Sequence, residues 1–201
     1  MLFLGRMDLM FQLDKDKVVA TSIYIASKNV PELTIGKMMK LIFLADKHHL
    51  VRYGRLITGD LYTAMKDGPV PSFAYDIFKD VLRKPVTPQG KCLEKSLAID
   101  TSYQLPRFSA RTEFDADQLS QSDILAIDET LLQFGEKSFE ELSAITHAMA
   151  AYDKAWRSKG MFSKSARMKF EDFFEDDAGA IAGAKEEMIE DYHLKRSFAK
   201  P

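Results

Sequence analysis

Residues 35–52, IGKMMKLIFLADKHHLVR, constrain the fold of this chain more than any other stretch. Met38, Met39, Leu41, Ile42, Phe43, Leu44 and Ala45 follow one another at about 100° per residue, so apolar side chains point nearly all round the helix they would form. A helix without a polar side has to be a central rod with other elements packed around it. Its ends are marked too. Thr34 is a good N-cap, and Gly54 stands where a left-handed C′ residue closes a helix. A buried rod needs a wrapping. At 201 residues the chain can bury roughly 70% of its unfolded surface, enough for one core without staples.

The rest of the chain reads as that wrapping. Residues 14–29 form an amphipathic helix with Val18, Val19, Ser22, Ile23 and Ala26 on one side, ended by Val30-Pro31. Thr58-Gly59-Asp60 and Asp67-Gly68-Pro69 are turn signals around a short strand, residues 61–65. Pro71 opens a helix over 72–83 with Phe73, Ile77, Phe78, Val81 and Leu82 inward and Tyr75 and Asp76 more exposed. Residues 84–95, with Pro85, Pro88 and Gly90, read as loop. Residues 97–99 and 103–105 read as two strands of a small antiparallel sheet, with Phe114 starting a third apolar patch.

Helical patterning returns at 123–134, capped by Ser122 and closed by Gly135, and at 139–149, where Ser138 and Glu141 resemble a capping box. Further helices are expected over 151–160, 164–177 and 178–198. The fold class expected is therefore mainly α: a single domain with a central buried helix and a small antiparallel β element, with α+β as the alternative. Residues 1–13 read as an N-terminal extension, 14–160 as the helical domain, and 161–201 as C-terminal helices packed on it. The apolar start is interrupted by Arg6 and Asp8, so it reads as a docking strand or frayed start, with Met7 or Met10 as alternative start codons.

Charge and cysteine content remove several function classes. The chain has 28 Lys and Arg against 30 Asp and Glu, a net charge of −2, so a strongly basic nucleic-acid binder is not indicated. The two halves differ, with net +4 over 1–100 and −6 over 101–201. The single cysteine, Cys92, excludes an intramolecular disulfide and a cysteine-based zinc site, and fits a reducing cytosol. No apolar run reaches the ~18 residues a membrane span needs.

Motifs for chemistry are missing as well. The sequence holds no GxGxxG, GxxxxGK[ST], HExxH or GxSxG. His48 and His49 point about 100° apart on a helix and cannot chelate one ion unaided. Asp46 and His49 share a face, but His147 or His193 would have to complete a ligand set, so no metal and no cofactor is expected. The pattern that stands out is Asp46, His49 and Tyr53 at i, i+3 and i+7. It is either a polar network tying the helix end to the next turn or a partner-contacting patch.

A second candidate is Asp67-Gly68-Pro69-Val70-Pro71, stiffened by two prolines. It is either a strand-to-helix connector or a rigid loop that loses little entropy on binding. By residue type, Arg52, Tyr53, Tyr62 and Tyr75 are the anchors a partner would use, with Lys66 beside the loop. Residues 171–177 gather five acids around Phe173 and Phe174, as a solvated helix or a second docking surface. Trp156, beside Lys154 and Arg157, reads as a core or rim aromatic.

The stretch Lys40-Leu41-Ile42-Phe43-Leu44-Ala45-Asp46-Lys47-His48-His49-Leu50-Val51-Arg52-Tyr53-Gly54-Arg55 resembles the central motif of the Panacea, or SocA-like, antitoxin domain. So does its continuation from Ile57-Thr58-Gly59-Asp60-Leu61-Tyr62 to Asp67-Gly68-Pro69-Val70-Pro71-Ser72. Leu142-Ser143-Ala144-Ile145-Thr146-His147 is similar to the family's Thr-His segment. The Pro-Trp pair that commonly follows is absent here, with Trp156 coming later. The resemblance spans about residues 18–156.

It implies a cytoplasmic, prokaryotic or phage-encoded, mainly helical domain without enzymatic activity. Such a domain neutralises a cognate toxin, the product of an adjacent gene, by direct contact. The alternative it carries is a proteolytic adaptor that delivers a toxin or other client to a protease. A metal-assisted enzyme using Asp46 and His49, or a DNA-binding regulator, ranks below both. No membrane partner is implied, and nucleic acid is disfavoured.

Overall fold

The computed structural model describes residues 13–111, 114, 116–176, 186, 189 and 190. Among them are seven α-helices and five short strands, arranged around helix α2 (Ile35–Tyr53). Thr34 caps α2 by accepting a hydrogen bond from Lys37 N at 3.3 Å, and Gly54 closes it at φ 77°. Only a residue without Cβ adopts that left-handed angle at little cost. Met38, Leu41, Ile42 and Phe43 are fully buried, as expected of a central rod. The rod also carries lysines. Lys37, Lys40 and Lys47 are buried along their stems, and Lys37 Nζ reaches Pro31 O at 2.7 Å.

Helix α1 (Lys15–Ser27) packs on α2 and is capped by Asp14, which accepts from Lys17 N at 3.0 Å. It ends before Val30-Pro31, because Asn29 (φ 54°) and Glu32 (φ 51°) turn the chain through the left-handed region. Strands β1 (Tyr62–Met65) and β2 (Gly68–Pro71) form a hairpin about Lys66-Asp67, with Thr63 opposite Val70 and Met65 opposite Gly68. The Gly68–Pro71 segment is thus a buried strand, which corrects the expectation of an exposed loop. Its Pro69 O accepts from Lys40 Nζ and the strand packs on α2.

Helix α3 (Ser72–Arg83) forms over the expected residues with Ala74, Ile77, Phe78 and Val81 inward, but Leu82, expected inward, is exposed and Phe73 is half-buried. The loop expected over 84–95 is instead mostly helix α4 (Pro88–Ser96). Its start is well made. Pro88 sits in the first turn, where its missing N–H costs nothing, and Thr87 Oγ1 accepts from Gly90 N at 3.0 Å. Asp80 holds Thr87 in turn, through its Oγ1 at 2.6 Å. Strands β3 (Leu97–Asp100) and β4 (Arg107–Ala110) make the second sheet. The expected strand at 103–105 is the connection between them, where the Arg107 guanidinium lies 3.6 Å over the Tyr103 ring.

Helix α5 (Gln121–Phe134) is capped by Ser120, not Ser122, in a full capping box with Asp123. Helix α6 (Phe139–His147) has the box expected from Ser138 and Glu141, and α7 (Ala150–Ser158) follows. Residues 164–176 do not form the helix expected over 164–177, whose last residue lies outside the described ones. Strand β5 (Ala166–Arg167) adds to the free edge of β1, giving the order β2-β1-β5, and Glu171–Phe174 is a 3₁₀ turn. Here pairing with β1 overrides local helical preference. Phe173 packs edge-on against Phe43 and Tyr62, both at 5.6 Å. The 1–12 segment and most of the helix expected over 178–198 lie outside the described residues. No helix among the described residues is long and apolar enough to cross a membrane.

Candidate functional site

Asp46 sits on α2 with no exposed surface. Its Oδ1 accepts from Ile57 N (2.7 Å) and Thr58 N (3.0 Å), and its Oδ2 from Tyr62 Oη (2.6 Å) and Thr58 Oγ1. Four donors thus bind one carboxylate and pin the chain between α2 and β1 to the rod. Burial pushes the Asp46 carboxyl up to about 6, against the hydrogen bonds that favour its charge. Asp60 performs a related task one turn of chain later. It accepts from Phe73 N (3.0 Å) and Ala74 N (2.9 Å), capping α3, whose own N-cap Pro71 has no side chain able to do so.

His49, one turn further along α2, is equally sealed. Its Nδ1 faces Arg55 O at 2.8 Å, a carbonyl that can only accept, so Nδ1 carries the proton. Nε2 then accepts from Ser122 Oγ at 3.1 Å. Burial, with the Arg55 charge adding to it, pulls His49 down to about 4, so the ring is neutral. Asp123 lies 3.2 Å from Nε2 and gathers Lys17 Nζ (2.7 Å) and Arg55 Nη2 (2.6 Å). Burial raises its carboxyl, but Lys17, the Ser120 N–H and Arg55 outweigh that and leave it below the ordinary value. The Ser122–His49 pair has the spacing of a nucleophile and a base. It lacks a carboxylate on Nδ1, and the His49 side chain is sealed from solvent.

The third cluster lies at the hairpin turn. Lys40 Nζ donates to Pro69 O at 3.3 Å, and burial lowers its amine to about 8 while Asp67 opposes the shift. Gly68, at φ 114°, leaves the space the Lys40 ammonium fills, and a Cβ there would also stand 3.1 Å from Thr146 Oγ1. Ser143 Oγ donates to Asp67 O at 3.0 Å, and Tyr152 Oη to Met65 O at 2.9 Å. The His147 ring stacks on Tyr152 at 4.4 Å, and Tyr152 on Trp156 at 6.0 Å. Ser143 of α6 and Tyr152 of α7 thus clamp the hairpin turn to the two helices, with His147 stacked on Tyr152. Trp156 completes the stack from the next turn of α7, where no Pro-Trp pair stands.

The expected site residues therefore fall into two sets. Asp46, His49, Tyr62, Gly68, Pro69, Val70 and Pro71 are buried, and the polar ones among them hold the fold together. Of the two readings of Asp46, His49 and Tyr53, Asp46 and His49 match the polar network that ties the helix end to the next turn and not a partner-contacting patch; Tyr53 alone of the three is exposed. Period alone places three residues on one side of a helix without saying that residues 57–62 cover Asp46 and the start of α5 covers His49. Arg52, Tyr53, Lys66 and Asp67 are exposed, and Tyr75 is half-buried under Lys79 Nζ at 4.5 Å. Tyr53 stacks on His49 at 4.7 Å, and Arg52 binds Glu129 at 2.7 Å beside His48.

The acidic 171–177 stretch is engaged as well. Asp172 and Glu175 bind Lys154, Asp176 accepts from Ala150 N at 3.0 Å, and Phe173 and Phe174 are core. Sequence reading missed Lys40, Asp60, Asp123 and Glu129. Lysine at position 40 inside an apolar helix was the available signal for the first; the others depend on contacts far apart in the chain. Among the described residues no three His, Cys, Asp or Glu side chains stand where they could hold a metal ion.

The polar residues just described carry the signature read in the sequence, and that signature matches a known family. The family model for the SocA-like antitoxins, Panacea domain, fits residues 38–153, more than half of the chain. The chain belongs to this family. No curated protein and no solved structure matches it. In this SocA-like chain the matched span runs from within α2 to within α7. It takes in the Asp46 hub, the His49 contacts and the Lys40, Ser143 and Tyr152 bonds to the hairpin. Membership points to an antitoxin role in general terms, with a toxin as the kind of partner.

Proposed function

We propose that this SocA-like chain is the antitoxin of a toxin–antitoxin pair and neutralises its toxin by direct binding in the cytoplasm. The toxin would be the product of an adjacent gene. The observation that carries the reading is the family match over residues 38–153. The geometry supports it from the other side, since the polar residues of the match hold β1, β2 and α5 in place around α2. What they hold outward is a set of exposed groups: Arg52 and Tyr53 at the end of α2, and Lys66 and Asp67 at the hairpin turn, with Tyr75 on α3 nearby in sequence. From Lys40, beside that turn, to Tyr53 is roughly 20 Å at about 1.5 Å per helical residue. An interface burying ~800 Å² on each partner spans such a distance.

The test is co-expression with the adjacent gene's product. Growth arrest by that product, relieved by this chain, is the expected result. Arrest that persists at matched expression refutes the reading. Within it, Tyr53→Ala combined with Arg52→Ala should weaken rescue while the far-ultraviolet circular dichroism stays that of the parent.

A further inference from the structure

From the second half of α7 to the 3₁₀ turn, residues 154–170 hold six basic side chains and no acidic one, in a chain of net charge −2. Two of the six are neutralised at the base, Lys154 by Asp172 and Glu175, and Arg157 by Asp153 at 2.8 Å. Lys159 lies over the Trp156 ring at 4.9 Å. Lys164, Arg167 and Lys169 are exposed, and none forms an ion pair with a carboxylate of the described residues. At the tip Met161 is 88% and Phe162 96% exposed, side by side. Single exposed apolar residues are ordinary, but an adjacent Met and Phe standing almost free in water are not.

The tip is also held in shape. Ser163 N donates to Gly160 O at 2.9 Å, and Ser165 N to Ser163 Oγ at 3.3 Å. Beyond it, Met168 N binds Tyr62 O at 2.9 Å, and Met168 and Phe170 are buried. A segment anchored at both ends and turned by its own hydrogen bonds loses little entropy on docking. Met, Phe and Arg are residue types enriched at protein interfaces, and β5, the outermost strand of its sheet, lies in the same segment.

We infer that the Met161-Phe162 tip is a protein-docking finger. It inserts into an apolar pocket on the partner whose rim is acidic and faces Lys164, Arg167 and Lys169. The inference rests on the antitoxin reading, with the toxin as the partner, and adds the surface and its chemistry.

The experiment uses the full chain with the adjacent gene's product, comparing the parent with Met161→Ser/Phe162→Ser and with Lys164→Glu/Arg167→Glu. Because these side chains are exposed, melting temperatures should match the parent. The apolar pair should weaken binding at least ~30-fold, as loss of a central anchor does. The charge reversal should weaken it about tenfold at low salt, with the deficit closing near 0.5 M salt, roughly where a Debye length becomes shorter than the rim. Rescue and affinity equal to the parent in both variants overturn the finger while leaving the antitoxin reading standing. A parent that neither binds nor rescues overturns both. Vesicles of phosphatidylcholine with phosphatidylserine are the second arm. Parent binding to them that is lost in the Ser pair, without a matching loss on the toxin, assigns the tip to a lipid surface and overturns the proposal.

Discussion

Asp46 and Tyr53 stand two turns apart on one face of α2, and the fold treats them in opposite ways. Asp46 has no exposed surface and four hydrogen-bond donors, while Tyr53 is 38% exposed and touches mainly His49 and Arg52. The difference comes from what lies above the helix. The 57–62 segment returns over the middle of α2 and the start of α5 covers His49, whereas Tyr53 in the last turn is left exposed. A buried polar group organises the fold because leaving its partners unmet is costly. An exposed one is free to meet another molecule. Along a single helix, that separates buried ties from an exposed end, the end that the proposed function assigns to partner contact.

The sharpest way to break this comparison is at its buried end. Asp46→Ala strands Ile57 N, Thr58 N, the Thr58 hydroxyl and the Tyr62 hydroxyl in the interior. The expected loss is about 3–5 kcal/mol, enough to unfold a domain of ordinary stability. Asp46→Asn keeps the shape and one carbonyl acceptor but places an NH₂ against donors, and should lose about half as much. Urea unfolding followed by circular dichroism measures both. If Asp46→Ala unfolds at the parent's midpoint, the carboxylate is not the tie between α2 and β1.

The hairpin turn gives the next largest effect. Gly68→Ala places a Cβ against the Lys40 ammonium and 3.1 Å from Thr146 Oγ1, at φ 114°. Strain and displacement together should cost about 2 kcal/mol. Adding Lys40→Met should recover part of that, because Met is flexible, of similar length and leaves no buried charge. Thermal melts of the single and double variants make the cycle. Equal losses in both would mean that backbone strain alone sets the cost and that Lys40 does not fill the space over Gly68.

How much of this was legible in the sequence follows the same division. The central rod, its Thr34 and Gly54 ends, the β1 segment and the α3 and α6 helices were readable, since each rests on local period or capping chemistry. Helix α4 was hidden because Pro88 and Gly90 look like breakers until Thr87 is seen to cap them. Strand β5 was hidden because its partner β1 lies a hundred residues earlier. The candidate site was half legible. Asp46, His49, Tyr53 and the Asp67–Pro71 stretch were singled out correctly as unusual. Their depth was not, because burial at Asp46 and His49 is made by residues 55–62 and 120–123, which no helical period reveals. The 154–170 charge run was in plain view in the sequence, but its meaning needed the exposed Met161-Phe162 tip.

The smallest expected effect tests His49, midway between the two ends of the comparison. Burial holds the folded imidazole at about 4, below the ordinary 6.5 it would have in the unfolded chain. Between those values the unfolded chain takes up a proton and the folded chain does not. The stabilisation is therefore full above pH 6.5 and is lost as the pH falls toward 4. Asp46 acts with the opposite sign. Its folded carboxyl titrates at about 6 against an ordinary 3.8, so its contribution is present at low pH and is lost as the pH rises through that window. The two slopes partly cancel in the parent, whose stability should vary little between pH 4 and 6.5. His49→Gln removes one of them, so the variant, less stable overall, should become relatively more stable on acidification from pH 6.5 to 4. Urea midpoints across that range measure the sign. A variant whose profile runs parallel to the parent's would mean that His49 is not held neutral in the interior. The Ser122–His49–Arg55 contacts would then belong to a charged imidazole facing Asp123.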